Sequence, residues 1–290
     1  MSMNELQADE TAAPRKQASA PSQPSVPDRK SVSLPSWASQ LIIMLCSVIV
    51  GVLIWHVGST QGWRGIVNFS NIPTPGEVFG ATVENINDPE FYVHIGVSIQ
   101  RVMLSFVLAV VLGVPTGLLM ARNKFVRAAL LPYIEILRPI PAVAWIPLAI
   151  LMWPTEEASI IFITYLGAFF PIVLNTINGA EQTPEVLLRA TQSLGASKFD
   201  QFLHVVFPAA LPSISAGLSV GMGVAWFSLL AGEIISGQYG IGYFTWDAYS
   251  MIRTPDIVLG MLAIGLLGTG STIGIRLITS PLLKWQKKTR

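Results

Sequence analysis

Charge is scarce in this chain. Acidic and basic residues make up 12% of its 290 residues, against roughly 25% in a soluble domain. With 51% hydrophobic residues and a mean hydropathy of +0.55, that scarcity excludes an ordinary soluble domain and predicts a polytopic membrane protein. Cysteine is scarcer still. Cys46 is the only one, so no disulfide framework can form within the chain, and its apolar surroundings read as those of a buried small hydrophobe. The three histidines, His56, His94 and His204, are far apart and lack metal-ligand spacing. No G-x-x-x-x-G-K-[ST] stretch occurs, so the chain has no P-loop to cradle a nucleotide. The expectation is therefore no cofactor and no metal. If transport is ATP-driven, ATP is bound by partner subunits and this chain is not an enzyme. The net charge of +1 says nothing about partners, and no nucleic-acid partner is expected.

What is present is a series of apolar runs near the roughly 20 residues that a helix needs to cross a bilayer. They are residues 41–57, 102–121, 128–153, 158–177, 208–232 and 257–275. The third contains Glu135 and Arg138. Prolines 115, 139, 141, 147 and 171 fall inside spans, where freed carbonyls can be re-satisfied locally. The reading is all-α, with about six transmembrane helices. Residues 1–36, rich in Ser, Pro and Gln, read as a disordered tail; no small-residue cleavage signature marks a signal peptide. Residues 37–290 form the transmembrane domain.

An even number of spans puts both termini on one side. Arg15, Lys16, Arg29, Lys30, Arg122, Lys124, Arg127, Arg189, Lys198, Lys284, Lys287, Lys288 and Arg290 collect there, against Arg64 and Arg253 opposite. The positive-inside rule makes both termini cytoplasmic, in a plasma (inner) membrane. On the outer side, "IPTPGEVFGATVENI" predicts a short interfacial helix, and the aromatic-rich loop after span five suits the outer belt. Gly217 with Gly221, and Gly270 with Gly274, allow close backbone approach within the subunit or between subunits.

"GLSVG", residues 217–221, matches the nucleophile pattern G-x-S-x-G. It sits mid-span rather than on a strand-to-helix elbow, and no histidine lies at matching depth, so catalysis is not expected. A secondary carrier usually places ionisable groups deep in the membrane. Here Arg101 and Glu233 fall near outer ends and only Glu135 and Arg138 lie deeper, which weighs against a proton relay.

One stretch breaks the pattern: "RATQSLGASKFDQFLHVVFPAALP", residues 189–212. "TPEVLLRATQSLGA" predicts a short helix capped by Thr183, with Pro184 and Glu185 in its first turn. Leu187, Leu188, Thr191 and Leu194 share an apolar face, and Gly195 ends the helix in the left-handed conformation. A second helix starts at Ser197, and Pro208 and Pro212 re-aim the chain into span five. The apolar stripe is available to a partner or to lipid headgroups.

This stretch resembles the E-A-A loop of ABC-type importer permeases: E-A-A, three residues, G, nine residues, I-x-L-P. Arg189, Ala190 and Thr191 stand at the E-A-A positions, with arginine in place of the acid. Gly195 is the glycine, and Val205, Val206, Phe207 and Pro208 close the motif. "IPTPGEVF", "VSIQRVMLSFVLAVVLGVPTGLLMA" (Ser105 standing where a glycine is usual), "LRPIPAVAWIPLAIL" and "GEIISGQYGIGYF" resemble the nitrate/sulfonate/taurine/bicarbonate permease family over about residues 70–285. "MWPTEEASIIFITYLGAFFPIVLNTINGAEQTPE" looks most like the nitrate/nitrite members found in cyanobacteria and their bicarbonate relatives. The resemblance implies a type I importer permease working as a homodimer, with two cytoplasmic ATPase subunits and an external solute-binding protein. The helix near 184–195 would be the coupling helix, with Glu185, Leu188, Arg189, Ala190, Thr191, Leu194 and Gly195 facing the ATPase. Alternating access would follow, with selectivity resting largely on the binding protein.

An anion crossing such a domain needs compensating charge or hydrogen-bond donors. Arg138, among Pro139 and Pro141, is one candidate for the path; it can equally pair with Glu135 or snorkel to headgroups. Ser215, Ser219, Met222 and Trp226, at helical spacing, form a second candidate lining, with Ser228 and Glu233 further out.

Overall fold

A computed structural model describes residues 36–64 and 68–285, and among them every regular element is a helix. All but the last residue of the tail, and the charged residues Lys287, Lys288 and Arg290, lie outside the described residues.

The chain divides into two units, residues 1–49 and 50–290. The described part of the first is the start of α1 (Ser36–Gln61), whose Leu41, Ile43 and Val48 side chains are exposed. Cys46 is exposed too, contrary to the expected burial. This helix turns its apolar side chains outward, as a lipid-facing span does, so an apolar neighbourhood in sequence is not burial in protein.

In the second unit, α2 (Pro75–Ile86) is the short helix expected on the outer side. A capping box starts it: Thr74 Oγ1 accepts from the Glu77 N–H at 3.3 Å, and Glu77 Oε2 accepts from the Thr74 N–H at 2.7 Å. α3 (Pro89–Arg122) runs for 34 residues through Pro115 without a break. α4 (Lys124–Leu137) is capped by Asn123, whose Oδ1 accepts from the N–H groups of Phe125 and Val126. The third span was expected to run on from here. Instead the chain bends by 92° between α4 and the segment Ala142–Met152, which holds a 3-10 turn (Ala142–Trp145) and α5 (Ile146–Met152). The cause is the pair Pro139 and Pro141. Neither has an N–H to give, and each ring collides with the carbonyl four residues back. One such proline can be absorbed, as Pro115 is; two separated by a single residue stop the helix.

α6 (Glu156–Glu181) tolerates Pro171. The helices α7 (Glu185–Ser193), α8 (Lys198–Gln201), α9 (Phe207–Ser236), α10 (Ile241–Ser250) and α11 (Thr254–Thr279) complete the chain. Among the described residues, five helices are long and apolar enough to cross a membrane, and the bent α4–α5 pair makes a sixth if it crosses as one. The stretch after span five, expected as a loop, contains α10.

The core lies where α3, α6 and α9 meet, with Val102, Phe106, Ile160, Ile172, Met222 and Leu229 buried together. α6 and α9 share the most extensive contact in the chain, and small residues permit it. A Cβ on Gly217 would stand 2.6 Å from Asn175 Cβ, and one on Gly221 3.0 Å from Ile172 Cγ1. Gly270 and Gly274, by contrast, have nothing within 4 Å of a built Cβ. The first glycine pair therefore serves packing inside the subunit, and the second faces away from it.

Candidate coupling segment and translocation site

α7 and α8 lie between the two most closely packed helices of the core, α6 and α9. Thr183 does not cap α7. Its hydroxyl donates back to the Ala180 carbonyl at 3.0 Å, and Pro184 takes the cap position without a side-chain bond. Glu185 sits in the first turn and pairs with Arg189 at 2.6 Å, one turn apart, with both side chains more than three-quarters exposed. Arginine at the acid position of the loop motif is thus partnered within the helix. Such an exposed i,i+4 pair is worth a few tenths of a kcal/mol.

The expected stripe splits in two. Leu188 turns inward against the cluster of Leu118, Val206 and Ile214, and the Thr191 hydroxyl donates to the Leu187 and Leu188 carbonyls at 3.0 and 2.9 Å. Leu187 and Leu194 are exposed, as is Val186, and so is Ala190. Gly195 ends the helix at φ +79°, with its N–H donating to Gln192 O and the Ala196 N–H to Thr191 O; only glycine takes this conformation without cost. Ser197 then opens α8 with a capping box to Asp200.

The re-aiming expected at Pro208 and Pro212 does not occur. Lys198–Ile235 is one continuous helix of 38 residues. A π-helical turn, Phe202–Val206, in which the Phe207 N–H donates to Phe202 O, precedes Pro208. A proline ring would strike the carbonyl four residues back; the wider turn moves that carbonyl aside.

Arg138 stands at the α4–α5 break. It lines a cavity of about 510 Å³ together with Pro139, Pro141, Gly167, Phe170, Phe227 and Ser228. Gly167 and Phe170 lie near the middle of α6, so the break is level with the centre of that span. The arginine side chain is 46% exposed and its nearest carboxylate is Glu135, Nη2 to Oε2 3.4 Å. The hydroxyl of Ser228, on the cavity wall, is buried and has no hydrogen-bond partner.

The other candidate lining is elsewhere. Ser215 Oγ meets Thr279 Oγ1 at 2.7 Å, Ser219 donates to Ser215 O at 3.0 Å, and Trp226 Nε1 donates to Ser271 Oγ at 2.8 Å. Met222 is buried in the core. Ser215 and Trp226 bind α9 to α11, Met222 packs in the core, Ser219 bonds within α9, and none of the four lines the Arg138 cavity. The Ser219 hydroxyl is committed to its own helix.

A buried polar cluster escaped the sequence reading. Arg101 binds Glu157 through Nε at 2.9 Å, Glu233 at 3.1 Å and the Tyr239 carbonyl at 2.6 Å. Ser98 donates to Glu233 at 2.8 Å and accepts the Ile241 N–H at 2.8 Å, while the Gly242 N–H donates to Glu233 Oε2 at 2.9 Å. His94 Nδ1 accepts the Gly240 N–H at 3.1 Å. The cluster pins the start of α10 to α3. Its available signal was Glu157 and Glu233 near helix ends, and Arg101, which lies inside α3 rather than near its outer end as expected, together with the glycines of "GQYGIG".

Membrane-length helices, broken at mid-depth beside a cavity and interrupted by a short exposed helix pair, are the build of a transporter's membrane subunit. Residues 113–282 match the family of binding-protein-dependent transport system inner membrane components, and the chain belongs to that family, the permease subunits of ABC importers. Its relatives include the nitrate import permease of Synechocystis sp., 36% identical over 69% of this chain and 76% of that one. The taurine transport permease of Escherichia coli is 32% identical over 80% and 84%. The bicarbonate transport permease of Synechococcus elongatus is 31% identical over 83% and 91%. A methionine ABC transporter in an inward-facing conformation shares the fold, with a TM-score of 0.50 and 19% identity over 65% of this chain and 99% of that one. Permeases of this family are not themselves enzymes; they work in a membrane with ATPase and binding-protein partners.

Proposed function

We propose that this chain is the permease subunit of a plasma-membrane importer that moves a small inorganic anion, nitrate or nitrite, on ATP hydrolysed by partner subunits. The observation that carries the reading is the α7–α8 pair, exposed, glycine-capped and set between α6 and α9. Two permease chains pair as a homodimer, two ATPases receive α7 of each, and an external solute-binding protein delivers the anion. Both termini lie in the cytoplasm. Glu185, Arg189, Ala190, Thr191, Leu194 and Gly195 meet the ATPase, while Leu188 ties their movement to the bundle. Arg138 lies on the anion's path. The α9 face of Ser215, Ser219, Met222 and Trp226 is the seam along which α9 moves against α11 beside that path.

Nitrate is favoured by the nitrate import permease relative. Bicarbonate, or a sulfonate, is the second reading, favoured by bicarbonate and taurine relatives of similar identity. ATP-dependent uptake of labelled nitrate and labelled bicarbonate, by vesicles holding permease, ATPases and binding protein, decides between them. Uptake by the permease without any ATPase overturns the importer reading.

A further inference from the structure

We propose that Arg138 and Glu135 form an exchangeable pair at the α4–α5 break, in which a transported oxyanion displaces the Glu135 carboxylate from the Arg138 guanidinium. The inference rests on the reading of the chain as an anion importer and goes on to its binding site.

Three observations carry it. First, the break is level with the middle of α6, and irregular backbone at that depth is tolerated only where it is buried in protein or lines a cavity; here it lines about 510 Å³ of space. Second, an arginine lies in that space and is 46% exposed. An ionisable side chain at membrane depth marks a ligand path more often than it marks packing. Third, the pair is loose. At 3.4 Å it is the longest ion pair among the described residues, the others being 3.1 Å or shorter. Charge-assisted arginine–carboxylate bonds close to about 2.7–2.9 Å when both partners are committed.

The chemistry follows. A guanidinium offers parallel N–H donors that match two oxygens of a planar oxyanion. Left without a counter-ion in a low-dielectric cavity, it would hold that anion too tightly to release it. A neighbouring carboxylate one helical turn away supplies the counter-ion when the cavity is empty and competes when it is full. Transport needs binding strong enough to admit the anion and weak enough to let it go. Ser228 adds a hydroxyl on the wall that is committed to no other group. Phe170 and Phe227 supply apolar walls, which favour a small, weakly hydrated anion over a bulky zwitterion.

The test uses the full-length permease in nanodiscs, with line broadening of 15N-nitrate and 13C-bicarbonate as the binding readout, and ATP-dependent uptake by the complete complex. Glu135→Gln should tighten binding severalfold and slow uptake. Arg138→Gln should abolish binding, Arg138→Lys should leave it intermediate, and the double variant should behave as Arg138→Gln does. Size-exclusion profiles and co-purifying ATPase report assembly. An assembled Arg138→Gln complex with wild-type uptake, or an assembled Glu135→Gln with weaker binding, overturns the exchange. A wild-type complex that imports neither anion overturns the substrate reading, and the exchange with it.

Discussion

Arg101 and Glu233 meet at 3.1 Å between α3 and α9, with 7% and 1% of their side chains exposed. Glu157 shares the arginine from the start of α6 and is about half exposed. A buried pair gains little over an apolar one of the same shape, but removing one partner leaves the other charge stranded. Arg101→Met should therefore destabilise the subunit by about 3–5 kcal/mol. Glu157→Gln, which removes the exposed partner, should cost far less. Thermal unfolding of the purified permease measures both; equal losses would place Glu157 inside the lock rather than at its rim.

Gly195→Val puts a β-branched side chain at φ +79°. The cost to the cap is on the order of 1 kcal/mol or more, too little to prevent insertion. The expected outcome is a membrane-inserted permease that retains less ATPase on purification and imports little. Wild-type uptake by Gly195→Val would separate α7 from coupling.

The two glycine pairs should part company. Gly217→Leu drives a side chain into Asn175 and forces α6 from α9, with overpacking costs of about 1–3 kcal/mol or more. A Cβ at Gly270 meets nothing within 4 Å among the described residues, so Gly270→Leu should leave subunit unfolding nearly unchanged. A large loss in Gly270→Leu monomers would mean that α11 packs otherwise than described.

Topology can be read by cysteine labelling in a Cys46→Ser background, since Cys46 is itself exposed. A cysteine at Ser197 should resist impermeant reagent added to intact cells, and one at Gln238 should react. Both positions are exposed in the protein, so protection at 197 reports the membrane. External labelling at 197 inverts the orientation.

Much of the fold was legible because apolar run length and helix caps are local properties. The spans, the helix start at Ser197 and the left-handed Gly195 follow from a few neighbouring residues. The α4–α5 bend was not legible, because Pro139 and Pro141 read as prolines that a span tolerates, whereas together they stop the helix. The expected α9 lining and the Arg138 cavity do not coincide. Helical spacing tells which α9 residues share a face, but not whether α11 or the cavity lies opposite, so Ser215 and Trp226 were placed on the path and Phe227 was not. The Arg101 cluster joins groups more than a hundred residues apart, and no local pattern announces it.

The continuous helix from Lys198 to Ile235 is 38 residues long, roughly 57 Å at the rise of an α-helix. One end stands beside α7; the other holds Glu233 in its clamp of Ser98, Arg101 and Gly242. The same helix therefore links the foot beside α7 to the clamp that holds the start of α10. One place where it can yield is the over-wide turn at Phe202–Val206, whose hydrogen bonds are set off register from the rest. If α7 couples this chain to an ATPase as proposed, the stiffness of that turn would set how much of a displacement reaches the far mouth: a stiffer turn would pass it on, and a softer one would absorb it.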